Sequence, residues 1–293
     1  MPCYSLCCKQ PCFLALSYHT DERSRTHLSA SQLKAFLNHS PKAFQYYLDH
    51  PKPATIYMQQ GELVDHLITR PDTFDDSYVV APKVNKRTKA GKEEWAAFDA
   101  LAKSKGARVI DEEMLHNAER IVSVIFNDPI ASDYLVGSGQ EPFYWHDEEF
   151  DVDCRYMPDL EDPEQSLLVD LKKTRSASPS GFARQAYQLG YDVQMAHYAE
   201  GYRKRHGEYP RTIALLAYEW DAPHDCSVHV ASEAFLDEGR RRREEAIVGI
   251  KECRGCNEWP SYGLHVIDPP NWVRPDDPAN SVDLSGIDLE GLE

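Results

Sequence analysis

"RYMPDLEDPEQSLLVDLKKT", Arg155–Thr174, sets an Asp, a gap of ten residues and then Asp-Leu-Lys within an apolar run. A surface loop holds such charges at little cost; an apolar strand holds them only where something compensates them. The spacing reads as Asp159 at the end of one strand and Asp170 near the end of the next, with a turn between. Alternate side chains of a strand share a face, so Asp170 and Lys172 point the same way. A neighbouring strand can bring Asp159 to the same spot. Asp170-Leu171-Lys172 is the sole Asp/Glu-x-Lys of the sequence.

Two carboxylates and the main-chain carbonyl of Leu171 make an all-oxygen site suited to Mg²⁺ or Mn²⁺. Lys172 beside them can orient or deprotonate a water that such a metal has acidified. Hydrolysis of a phosphodiester needs that combination.

Outward from this stretch, "EPFYWHDEEFDVDCRYMPDL" (141–160) alternates as two strands around an acidic turn. Glu141, which precedes them, is given a structural role. "SGFARQAYQLGYDVQMAHYAEGYRKRHG" (180–207) predicts one helix, "RTIALLAYEW" a further strand, and "SEAFLDEGRRRREEAIVGIKECRG" a charged helix before an irregular "WPSYG". Gln194 and Tyr198 are four apart and share a helical face.

Upstream, Ser29 or Ser31 caps a helix carrying Leu33, Phe36 and Leu37, and Ser40-Pro41 starts a second. "TIYMQQGELVDHLITRP" is a third helix, stopping before Pro71, with Leu63, His66 and Leu67 on one face. A short strand, "YVV", leads to a loop with Lys83, Lys86, Arg87, Lys89 and Lys92, then to a helix with Trp95 and Phe98. A long helix is expected from Asp111 to about Leu135, with Ile121, Val124 and Ile125 inward. Helices followed by strands, a helix, a strand and a helix give a mixed α/β fold: a central mixed sheet flanked by helices, with an N-terminal helical region.

The chain has 293 residues and a formal net charge of −16. That charge argues against coating nucleic acid by bulk electrostatics, though not against meeting DNA through a local basic groove and metal ions. No stretch approaches the ~20 apolar residues of a membrane span, and a cytoplasmic protein is expected. The division expected is a Cys-rich, poorly ordered segment 1–25, a domain 26–273, and an acidic, disordered tail 274–293. Of eight cysteines, Cys3, Cys7, Cys8 and Cys12 crowd the N-terminus and Cys253 and Cys256 form a Cys-x-x-Cys. Cys154 and Cys226 read as core thiols.

Pro158-Asp159, Asp170-x-Lys172 and Gln194-x-x-x-Tyr198, preceded by Gly61-x-x-x-x-His66, resemble the PD-(D/E)XK nucleases of the RecB-like branch. More closely, they resemble the RecE (exonuclease VIII) type of recombination exonuclease, from "LSASQLKAFLNHSPKAF" to "WPSYG". The resemblance implies a restriction-endonuclease-like core and a metal-dependent exodeoxyribonuclease on linear duplex DNA, working 5′ to 3′ and leaving a 3′ single strand. It implies His66, Asp159 and Asp170 as metal ligands with Leu171, and Lys172 positioning the water. Gln194 and Tyr198 would brace the site or touch the DNA backbone. It also makes the Lys83–Lys92 loop a DNA contact, and it implies a RecT-like annealing partner and a ring-shaped homo-oligomer. The second arginine usual before the Pro-Asp is Met157 here, which leaves Arg155 or that loop to meet phosphate.

Two other readings compete. Cys253 and Cys256 with the N-terminal cysteines would anchor an iron–sulfur cluster, though a third downstream cysteine is missing. A catalytically inactive DNA-binding recombination protein would keep the fold, but the intact His66, Asp159, Asp170 and Lys172 argue against it.

Overall fold

A computed structural model describes residues 23–268. The N-terminal cysteines and the acidic tail lie outside the described residues. The helices are α1 (Ala30–Asn38), α2 (Pro41–Asp49), α3 (Ile56–Thr69), α4 (Lys89–Lys105), α5 (Glu112–Asn127), α6 (Pro179–Gln188), α7 (Tyr191–His206) and α8 (Glu233–Cys256). The strands are β1 (Tyr78–Val80), β2 (Arg108–Ile110), β3 (Phe143–Asp147), β4 (Val152–Tyr156), β5 (Leu160–Asp162), β6 (Leu167–Thr174), β7 (Thr212–Glu219) and β8 (Cys226–Val230).

The run "LLVDLKKT" is β6, and it sits inside a four-stranded sheet of order β5-β6-β7-β8. β5 is antiparallel to it, with Leu160 opposite Val169; β7 is parallel, with Asp170 opposite Leu215. A parallel strand covered on both faces reads as an apolar run instead of an alternating one. Leu167, Val169 and Leu171 face a core shared with Leu63 of α3 and Ile121 and Ile125 of α5. Leu168 faces the other core, with Phe182 of α6 and Met195 and Tyr202 of α7. Each such buried side chain contributes roughly 1.5–3 kcal/mol. Asp170 and Lys172 fall on this second face.

A third core joins α1, α2, α7 and α8 to β4 through Leu33, Phe44, Val193, Ile247 and Tyr156. α7 therefore packs on two sides. Ten of its residues are buried, including the polar Asp192, Gln194 and His197. Asp192, fully buried, takes two bonds from Arg242 of α8 at 2.8 and 2.9 Å.

Several elements differ from expectation. The helix over 180–207 is two, because Gly190 adopts φ +68° between α6 and α7. The long helix ends at Asn127, where Asp128 turns its carboxylate onto the N–H groups of Ile130 and Ala131. Asp159 precedes β5 instead of ending a strand, so the ten-residue gap holds β5, a turn and the start of β6. β2 and β8 carry too short or too mixed a pattern to be read; they pair with β1 and β7. Ser29 is the cap of α1, in a reciprocal capping box with Gln32. Among the described residues no helix is long and apolar enough to cross a membrane.

Candidate active site

β5 begins at Leu160, and Asp159 just before it turns its carboxylate onto β6. Its Oδ2 accepts the Leu171 N–H at 2.8 Å, and its Oδ1 accepts from Gln140 Nε2 at 2.8 Å. The segment carrying Gln140 lies against Asp159 so closely that a Cβ on Gly139 would meet the Asp159 carbonyl oxygen at 1.6 Å. Only glycine permits that approach.

Asp170, 2% exposed, accepts from Gln194 Nε2 at 3.0 Å through Oδ1 and pairs with Lys172 through Oδ2. Lys172 Nζ also lies 3.4 Å from the Leu171 carbonyl oxygen and 5.0 Å from the centre of the Tyr191 ring. Tyr198, one turn beyond Gln194, donates to the Met157 carbonyl at 3.1 Å and so braces the backbone leading into Asp159. Asp159, Asp170, Leu171, Lys172, Gln194 and Tyr198 are thus brought together.

The electrostatics follow from crowding. Burial, then the charge of Asp170, pushes Asp159 up to about 7. Burial pulls the Lys172 ammonium down, but Asp170 and Asp159 outweigh it and hold its proton firmly. A third carboxylate lies within electrostatic reach of this pair. Burial, followed by the charge of Asp159, raises Asp65 of α3 well above the carboxylate range, while Tyr218 donates to it at 3.3 Å.

The neighbouring His66 does not join them. Its Nε2 lies 3.2 Å from Thr73 Oγ1 and its ring meets Tyr78 edge-on at 5.1 Å. Burial, then Arg70, lowers it to about 4. Successive helical residues diverge by about 100°, so α3 turns His66 into the packing against β1 and leaves Asp65 to the carboxylates. The pattern of the sequence hid this, since Asp65 and His66 are adjacent and only the docking of α3 decides between them. Gln140 and Lys34 carry no sequence signal of their own either. Lys34 Nζ, on α1, donates to Gln194 Oε1 at 2.8 Å across 160 residues of sequence.

The residues assigned to DNA divide. Arg155 is only 5% exposed on β4, and its carbonyl lies 3.0 Å from His197 Nε2. A buried strand residue does not present its guanidinium to an external phosphate, so the substitute for the missing arginine is not Arg155. Lys83, Lys86 and Arg87 are exposed on the loop before α4, whereas Lys89 and Lys92, expected in that loop, are exposed in the first turn of α4, which Thr88 caps. Lys83 pairs with Glu112, and Lys86 lies over the Trp95 ring.

Among the described residues no three His, Cys, Asp or Glu side chains form a ready-made metal cage. Asp159, Asp170 and the Leu171 carbonyl fit Mg²⁺ or Mn²⁺ in another way. These are hard oxygen donors whose mutual repulsion calls for a cation, and such ions keep several waters and share substrate phosphate. Asp170 Oδ2 pairs with the Lys172 ammonium. Cys253 is buried near the end of α8, and Cys256 bonds to the Glu252 carbonyl at 3.1 Å.

A mixed sheet whose inner strand carries Asp-x-Lys, with a second Asp poised from the antiparallel neighbour, defines a PD-(D/E)XK-like protein. Residues 29–266 match the family model described as "PDDEXK-like domain of unknown function (DUF3799)", and the chain belongs to that family. No curated protein matches the chain. Among solved structures it is similar to a Eubacterium rectale protein named "Putative exonuclease", at TM-score 0.62 and 16% identity, over 88% of this chain and 95% of that one. A phage related exonuclease from Haemophilus somnus 129PT aligns at TM-score 0.33 and 14% identity, over 79% and 96%. At such identity the first likeness is one of fold alone.

Proposed function

We propose that this chain is a metal-dependent exodeoxyribonuclease that hydrolyses the phosphodiester bonds of linear duplex DNA. The observation that carries the reading is the buried pairing of Asp170 with Lys172, with Asp159 bonded to the residue between them. A buried ion pair is weak evidence for stability, because desolvation offsets its attraction; a substrate-facing one has a chemical use. The E. rectale structure with the same fold, and its name, support the class.

Mg²⁺ or Mn²⁺, held by Asp159, Asp170 and the Leu171 carbonyl with Asp65 nearby, would supply Lewis acidity and an acidified water. Lys172 keeps its proton while it faces Asp170, so it acts as a donor that orients the attacking water or neutralises a phosphate oxygen. Gln194 holds Asp170 and Tyr198 holds the Met157–Asp159 backbone, which fixes both carboxylates before substrate arrives. Lys83, Lys86 and Arg87 on the exposed loop, with Lys89 at the start of α4, are the DNA contact.

The resemblance to RecE-type enzymes supports the finer reading. Digestion runs 5′ to 3′ in the cytoplasm of a bacterium or phage-infected cell, and the 3′ strand passes to a RecT-like annealing protein. A ring of subunits would make digestion processive.

Linear duplex labelled at the 5′ or the 3′ end, incubated with Mg²⁺, with EDTA, and with Lys172→Ala, tests this. Metal-dependent loss of label that disappears in the variant supports the reading, and the end lost first gives polarity. Absence of digestion with any divalent metal leaves a DNA-binding protein on a nuclease scaffold.

A further inference from the structure

The Gln194 carboxamide lies between opposite charges: Nε2 donates to Asp170 Oδ1 at 3.0 Å, and Oε1 accepts from Lys34 Nζ at 2.8 Å. An amide has one donor end and one acceptor end. Only one of its two flips satisfies both neighbours; the other sets oxygen against carboxylate and NH₂ against ammonium.

The slot that brings Lys34 here is built from several elements. α1 supplies the lysine. The break between α6 and α7 makes room for its stem, since a Cβ on Gly190 would meet Lys34 Cγ at 3.0 Å. The Tyr191 ring lies 5.3 Å from its Nζ. Gln194 Oε1 is the hydrogen-bond acceptor that this ammonium finds among the described residues. A long, charged side chain is ordered here with one hydrogen bond, an aromatic face and the more distant pull of Asp170 and Asp192, at a cost in rotamer freedom and hydration that a use for that bond explains.

We propose that Lys34 is a positioning residue of the metal centre: by fixing the flip of Gln194 it keeps Oδ1 of Asp170 occupied and aims Oδ2 at the metal. The proposal rests on the metal-dependent reading above. It runs against simple electrostatics, because a cation beside the site repels a divalent ion, and its removal alone would tighten binding.

Mn²⁺ binding to the full chain without DNA, followed by electron paramagnetic resonance, separates these effects. The measurement covers wild type, Lys34→Met, Lys34→Arg, Gln194→Met and the Lys34→Met/Gln194→Met double variant. Lys34→Met is expected to weaken Mn²⁺ binding about tenfold, as for other outer-shell partners of ligands. Lys34→Arg, which keeps a donor for Oε1, is expected to restore most of it. The double variant should bind no more weakly than Gln194→Met, because Lys34 acts through that residue. Tighter or unchanged binding in Lys34→Met, or additive losses in the double variant, overturns the proposal. If Lys34→Met does not fold, Lys34→Leu, which likewise offers Oε1 no donor, replaces it with the same expectation. Wild-type protein that binds no Mn²⁺ removes the metal reading itself. Wild-type binding with an indifferent Lys34→Met removes only this inference.

Discussion

The Asp159 carboxylate accepts the backbone N–H of Leu171, the residue between Asp170 and Lys172, at 2.8 Å. That bond ties the two carboxylates to one point of the sheet and keeps them close enough to disfavour joint ionisation.

Asp159→Asn should therefore exchange activity for stability. The raised carboxyl binds its proton more tightly in the folded chain than in the unfolded one, so its stabilising contribution is complete below about 4 and is lost as pH rises through about 7. Asparagine keeps an oxygen for Leu171 and does not titrate. Metal-free thermal unfolding should show the variant gaining on wild type steadily from pH 4 to 7, with nuclease activity abolished. An unchanged difference across that range would refute the crowding argument.

Asp65 and His66 should separate by phenotype. Asp65→Asn is expected to lower Mn²⁺ affinity and activity by tenfold or more while the fold survives. His66→Ala removes the imidazole from Thr73 and Tyr78 and should destabilise by roughly 1–3 kcal/mol, with activity retained at low temperature. Urea melts beside cleavage assays distinguish them; the reverse assignment would make His66 the ligand.

Gly139→Ala should behave as a site variant although its residue has no functional group. The added methyl must displace the Asp159 backbone, so loss of cleavage is expected together with a lowered melting temperature. Near-native activity would show that the Gln140 segment is free to move aside.

His197 makes the α7 region acid-sensitive. Arg243 Nε donates to its Nδ1 at 3.3 Å, which leaves the proton on Nε2, facing the Arg155 carbonyl. Burial, then Arg243, lowers the imidazole to about 3. The unfolded chain binds this proton below about 6.5, so stability falls as pH drops from there toward 3. His197→Asn should flatten this slope in denaturant melts at pH 4 to 7, whatever it does to stability at pH 7.

The basic loop predicts a salt effect. Replacing Lys83, Lys86, Arg87 and Lys89 with serine should weaken DNA binding and flatten its dependence on salt, by about 0.9 in the log–log slope for each phosphate that is no longer neutralised. Mn²⁺ affinity should not change.

What was legible in the sequence followed from local chemistry. The apolar run of β6, the Ser29 and Ser40 caps and the Asp-x-Lys stand out because burial, capping and strand alternation leave short-range patterns. What stayed hidden depends on docking between distant segments. Whether α3 offers Asp65 or His66 is set by its rotation on the sheet, Lys34 reaches Gln194 from 160 residues away, and the burial of β4 withdraws an Arg155 that strand alternation alone leaves available. Gly190 reads as one glycine inside a continuous periodic pattern, yet its left-handed backbone separates α6 from α7.

α7, packed between two cores, has a consequence for how freely the sequence can drift. A saturation library should find its positions 191–199 nearly closed to substitution, polar ones included, because Asp192, Gln194 and His197 are buried and each is tied to a polar partner. α4, of which only Gly91 and Ala102 are buried, should accept almost any helix former outside those two positions; a Cβ on Gly91 would meet the Asn85 carbonyl oxygen at 2.1 Å. The contrast would appear as two helices of similar size with opposite tolerance, one locked between two cores and the other free to adapt to whatever the protein meets.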